Sequence, residues 1–140
     1  MLSFDTLKRG FQKGLTTLFI LAKVIIPVYF VVTIIKHTIL IDWIAQLFAP
    51  VMGVFGLPGE AAIILVLGNV LNIYAAIGAI ASMTLTMKQI TILSVMISFS
   101  HSLLVETAVS KRIGVSVPLI IAVRMGLAIV SGIVLNLVWM

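Results

Sequence analysis

Cysteine is absent from this 140-residue chain, which excludes disulfides and thiolate metal sites. Charge is nearly as scarce: Asp, Glu, Lys and Arg together make up 9% of residues, against about 25% in an ordinary soluble domain. So little charge cannot cover a water-facing surface. With 62% hydrophobic residues and a mean hydropathy of +1.33, the chain reads as an all-α integral membrane protein resting in a lipid bilayer. The usual catalytic signatures are missing as well. There is no nucleophile elbow, P-loop or HExxH, so no enzyme, catalytic residue, cofactor or resident metal is expected. The net charge of +5 is spread over the flanks of apolar runs, which is a topology signal and not a nucleic-acid footprint.

What is present divides into two parts, residues 1–55 and 56–140. Met1 to Gly14 alternates Leu2, Phe4, Leu7 and Phe11 with Asp5, Lys8, Arg9 and Lys13, the pattern of a basic amphipathic segment lying flat on the cytoplasmic surface. Leu15 to Ile35 follows, too long and without the cleavage pattern for a signal peptide, and so a first transmembrane helix, kinked at Pro27. Asp42 to Phe55 reads as an interfacial helix with Asp42 as its N-cap and Trp43 at headgroup depth. Snorkelling is the expected role of Lys23 and Arg124.

Residues 57–87 hold the longest uncharged stretch, Ala61 to Met87, interrupted at its centre by LGNVLNIY, residues 67–74. One spanning helix and a re-entrant hairpin turning near Gly68–Asn72 both fit. The positive-inside rule separates them. With the hairpin, Lys8, Arg9, Lys13, Lys111 and Arg112 face the cytoplasm against Lys36 and Lys88 outside, five to two; with a single span the count is four to three. A mid-membrane turn frees backbone groups that lipid cannot satisfy. Asn69 and Asn72 can cap both helix ends there, and Gly68 permits a tight bend. The other reading of the asparagines is interhelical hydrogen bonding from an ordinary helix.

Residues 88–113 contain a second interruption, SFSHS at Ser98 to Ser102, which reads as the polar break of a discontinuous transmembrane helix; residues 117–139 form the last span. Glu106 lies inside the apolar depth and is a functional candidate on that ground, with an internal ion pair to Arg124 as its structural alternative. His101 has the chemistry to shuttle a proton, ligate a cation or donate to a solute. Ser100 and Ser102 are candidate hydrogen-bonding groups, or merely satisfy backbone. Glu60, in the first turn after Pro58–Gly59, either complements the helix dipole or lines a site.

GLPGEAA at residues 56–62 and FSHSLLVET at residues 99–107 resemble the nucleoside-recognition, or gate, domain family. That family includes the paired spore-maturation proteins A and B and the gate domains of bacterial ferrous-iron transporters, and its layout is similar to one repeat of the concentrative nucleoside transporters. The resemblance covers about Gly56 to Trp139. It implies solute contacts from the hairpin tip and from the break that follows, mapped here on Glu60, Asn69, Asn72, Ser100, His101, Ser102 and Glu106. It also implies a second repeat, and no second GxPGE or HSxxxE occurs in this chain. The expected partner is then a sister protein or an inverted copy of the same chain, the charge bias favouring the sister.

The expectation is a multi-pass protein of the bacterial inner (plasma) membrane, N-terminus cytoplasmic, forming one half of a two-repeat secondary carrier for a small polar solute. A divalent-metal gate using His101 and Glu106, and a non-transporting scaffold, are the alternatives.

Overall fold

The computed structural model describes residues 4–112 and 114–139. Its seven α-helices are α1 (Phe4–Lys36), α2 (Ile39–Val54), α3 (Ala62–Val70), α4 (Ile73–Ser82), α5 (Met87–Ser100), α6 (Leu103–Arg112) and α7 (Val117–Val138); a 3₁₀ turn, Gly59–Ala61, leads into α3. No strand occurs among the described residues. Three stretches are long and apolar enough to cross a membrane: α1, α5 with α6 over Met87–Lys111, and α7. They become four if α2 and the segment Gly59–Val70, which meet at 90°, form one bent span. The fold is that of an all-α membrane protein.

Helices α3 and α4 are nine and ten residues long, roughly 14 and 15 Å by helical rise. Each is about half the thickness of a hydrocarbon core of roughly 30 Å. They pack on one another around a turn at Leu71–Asn72, where Asn72 Oδ1 accepts the backbone N–H of Ala75 at 3.0 Å and so caps α4. Gly68 does not make the bend. It lies inside α3, buried, because a Cβ there would stand 3.2 Å from Ala76 Cβ and 3.3 Å from the Ile97 side chain. Close approach of α3, α4 and α5 leaves little room for a larger side chain at this position.

Two further close approaches build the core. Gly78 of α4 rests against α1, where an added Cβ would lie 2.8 Å from the carbonyl oxygen of Ile25. Gly132 of α7 receives Met96 of α5, whose sulfur would be 2.7 Å from such a Cβ. The buried apolar cluster runs through these contacts, with Val32, Ile64, Ala76, Ile92, Leu93 and Ile97 at its centre.

Helices α5 and α7 run antiparallel and cap each other. Lys88, in the first turn of α5, donates to the carbonyls of Asn136 and Trp139 at the end of α7, at 3.0 and 2.9 Å. Arg124 of α7 donates to carbonyls at the end of α5. Carbonyls left without partners at a helix C-terminus attract cations, both through hydrogen bonds and through the helix dipole. Arg124 therefore turns inward, and the snorkelling expected of it does not occur.

Three other expectations need correction. The basic segment before Leu15 is not a separate surface helix; it continues into α1, a helix of 33 residues. Isolated Gly10 and Gly14 cost a helix too little to break it. At roughly 50 Å, α1 exceeds the hydrocarbon core. The second helix starts at Ile39 and not at Asp42, which sits in its first turn. The break in the fifth helix is narrower than SFSHS, because α5 runs on to Ser100 and only His101 and Ser102 lie outside helix.

Candidate functional site

The break between α5 and α6 is built from a few residues with distinct tasks. His101 leaves the helix with ψ of 155°, and Ser102 takes φ of 51°, the left-handed region that costs a non-glycine residue about 1–2 kcal/mol. The N–H of Ser102 donates to the Gly68 carbonyl at 2.9 Å, and the Ser102 carbonyl accepts from Glu106 N–H at 3.0 Å, the first hydrogen bond of α6. The strained turn is thus tied on one side to the hairpin and on the other to its own next helix. Four helix ends meet here: the last turn of α3, the start of α4, the end of α5 and the start of α6.

One guanidinium organises the polar groups at this meeting point. Arg124 donates from Nε to the Phe99 carbonyl at 2.7 Å, from one terminal nitrogen to the His101 carbonyl at 3.0 Å, and from the other to Glu106 Oε2. Glu106 Oε1 lies 3.4 Å from His101 Nδ1. Arg124 is 16% exposed, whereas Glu106 and His101 are 42% and 31% exposed, so the cation is the inner member of the set. The planar fork of arginine suits three acceptors arrayed around it, as a lysine would not.

The expected site residues fall into three groups. His101, Ser102 and Glu106 are at the break, and Asn69 and Asn72 at the hairpin turn beside it, joined to it by the Ser102–Gly68 hydrogen bond. Ser100 is buried in the core with its hydroxyl donating to the Met96 carbonyl at 2.9 Å, and Ser98 likewise bonds back to Val95. Glu60 is at the other end of α3, roughly 12 Å from Gly68 by helical rise, and is not part of this cluster.

The two asparagines do different things. Asn72 caps α4, but Asn69 caps nothing: its Oδ1 is buried and has no hydrogen-bond partner among the described residues. An orphaned buried acceptor is costly and calls for an explanation. It sits next to Gly68, in the last turn of α3, where an incoming donor would satisfy it.

The ion pair of Glu106 with Arg124, the structural alternative read from the sequence, is present. Arg124 and Asn136 are the only strongly polar residues of α7, and both serve other helices: Asn136 Nδ2 donates to the Val54 carbonyl at the end of α2, at 3.1 Å. For Asn136, a polar residue in an apolar span is the one hint the sequence offered. Groups of three or more His, Cys, Asp or Glu side chains able to hold a metal do not occur among the described residues.

Comparison with known proteins agrees with this architecture. Residues 18–116 match the family Gate, described as nucleoside recognition. The chain is 51% identical over 130 residues, 93% of its length, to the "Uncharacterized membrane protein YvoD" of Bacillus subtilis, of which it covers 42%. It is 36% identical over 93 residues, 64% of its length, to the "Inner membrane protein YjiG" of Escherichia coli, of which it covers 58%. The chain thus spans about half the length of the curated relatives it matches. No solved structure matches it. The family match takes in most of α1, the whole hairpin and the broken helix, and the chain belongs to the Gate, or nucleoside-recognition, family of membrane proteins.

Proposed function

We propose that this chain is one half of a two-repeat carrier in the bacterial inner membrane, and that a small, polar, nucleoside-like solute binds where the hairpin turn meets the helix break. The observation that carries the reading is the hydrogen bond from Ser102 N–H to the Gly68 carbonyl, which brings four helix ends to one point. Discontinuous helices aim partial charges and free backbone groups at a polar solute in an otherwise apolar layer. The unpartnered Asn69 carbonyl supports the same reading, since a solute N–H or O–H would satisfy it.

The second half comes, in this reading, from a sister chain. The relative of which this chain covers only 42% has room for another unit of this size. The charge bias of five to two opposes an inverted copy of the same chain, and puts the N-terminus in the cytoplasm. A divalent-metal gate is disfavoured by Arg124, whose cation already occupies Glu106.

The test is thermal stability of the purified protein against a panel of nucleosides, bases and divalent metals, because a ligand that binds only the folded state raises the melting point. A rise with a nucleoside or base, abolished by Asn69→Leu, supports the proposal. A rise with divalent metals alone, abolished by His101→Ala, favours the gate instead.

A further inference from the structure

The three acceptors around Arg124 share a chemical character. Phe99 contributes a backbone carbonyl from the last turn of α5, His101 one from the break that follows, and Glu106 a carboxylate from α6. Carbonyls and a carboxylate converging on one point are the ligands of a hard cation such as Na⁺ or Ca²⁺, completed by water. The C-terminal ends of half-helices, with their exposed carbonyls, are where membrane carriers hold coupling cations. Here the position is filled from within the chain by a guanidinium anchored on α7.

We propose that Arg124 is a built-in counter-cation, occupying at the helix break the place an inorganic cation would otherwise take. Glu106 is neutralised inside the chain, the end of α5 is capped, and no cation needs to bind for the break to hold its shape. The half-site is then close to electrically neutral, and its ligand is an uncharged polar molecule. The consequence for transport, that this half works without a bound coupling cation, rests on the carrier reading above; the assignment of Arg124 itself does not.

The charge arithmetic makes the proposal testable without knowing the solute. Removing Arg124 leaves a partly exposed carboxylate and two carbonyls facing one another without a cation, and an added cation should replace what was lost. The experiment compares melting points of the full chain in NaCl, in CaCl2 and in choline chloride at matched ionic strength. The native protein is expected to melt at the same temperature in all three. Arg124→Gln is expected to melt lower in choline and to recover about 3 °C or more in Na⁺ or Ca²⁺. The double change Arg124→Gln with Glu106→Gln should lose that recovery, since the carboxylate that attracts the cation is gone.

A native protein stabilised by Na⁺ or Ca²⁺, with the effect lost in Glu106→Gln, would overturn the proposal, and so would an Arg124→Gln variant indifferent to all three salts. Should Arg124→Gln fail to fold in choline, its yield on purification reads the same point: recovery in Na⁺ or Ca²⁺ supports the built-in counter-cation, and equal loss in every salt contradicts it. Failure of the carrier reading would appear separately, as the absence of any response to nucleosides or bases in the native protein.

Discussion

The backbone N–H of Ser102, in the break between α5 and α6, donates to the carbonyl of Gly68 in α3 at 2.9 Å. Through this bond the hairpin and the broken helix, more than thirty residues apart in sequence, become one structural unit. Ser102 holds a left-handed backbone to make it. Strain of this kind persists only where the surroundings enforce it, and it concentrates at functional sites.

The asparagines of the hairpin should part company on substitution. Asn72→Ala removes the cap of α4 and should cost about 1 kcal/mol. Asn69→Leu removes a buried acceptor without a partner and should leave the melting point unchanged or raise it, while abolishing any solute response. Thermal melts of the two variants, with and without solute, separate the structural asparagine from the binding one.

Glycine substitutions have an internal control. Gly78→Ala drives a Cβ into the Ile25 carbonyl at 2.8 Å, against backbone that cannot swing aside, and should cost about 1–3 kcal/mol. Gly59→Ala meets the Ala45 backbone in α2 and should be at least as damaging. At Gly10, Gly14 and Gly53 nothing lies within 4 Å of the added atom. Alanine there should be neutral or stabilising by up to about 1 kcal/mol, through helix propensity alone. Unfolding in detergent, followed by melting, compares the two sets.

The α5–α7 pair predicts an order of severity. Arg124→Gln loses two carbonyl caps and an ion pair, whereas Glu106→Gln loses only the pair, so the arginine variant should be the less stable of the two. A double-mutant cycle should give a coupling of about 1 kcal/mol, modest because Glu106 is partly exposed. Lys88→Met, which uncaps the end of α7, should cost on the order of 1 kcal/mol and alter the fluorescence of nearby Trp139.

Topology is open to direct labelling, since the native chain has no cysteine to remove. Single cysteines at Lys36, Lys88 and Lys111 should react with an impermeant reagent from outside, outside and inside. A Lys88 position that labels from inside would make residues 57–87 a full crossing and end the re-entrant reading.

Much of this architecture was legible in the sequence, because the signals are local. Asn72 stands at the start of an apolar ten-residue segment, where its side chain has few tasks other than capping. Pro58–Gly59 and the His101–Ser102 pair interrupt apolar runs, and breaks follow at both places. What could not be read depends on contacts across the fold. The pairing of Arg124 with Glu106 is one of the sequence readings, but the two bonds from Arg124 to the end of α5 show only once that helix is seen to end beside it, and Gly68 looks like a bend until Ile97 is seen against it. Glu60 and Ser100 matched the expected pattern by type and spacing. The distance of Glu60 from the cluster follows from the direction of α3, and the inward turn of the Ser100 hydroxyl, next in chain to His101, follows from the unbroken run of α5 through Ser100; spacing encodes neither.

The account rests most directly on the junction of hairpin and break being a place that solute enters. Ser102→Cys, which keeps Asn69 and the backbone bond to Gly68, measures this as the only cysteine in the chain and in native membranes, through its rate of reaction with a small polar thiol reagent, with Lys36→Cys as the reactive control. The account predicts that the cysteine at position 102 reacts, and that a nucleoside or base which stabilises the protein slows the reaction several-fold while leaving position 36 unaffected. A position 102 that stays inert while position 36 reacts, or that reacts at a rate no solute changes, would contradict it.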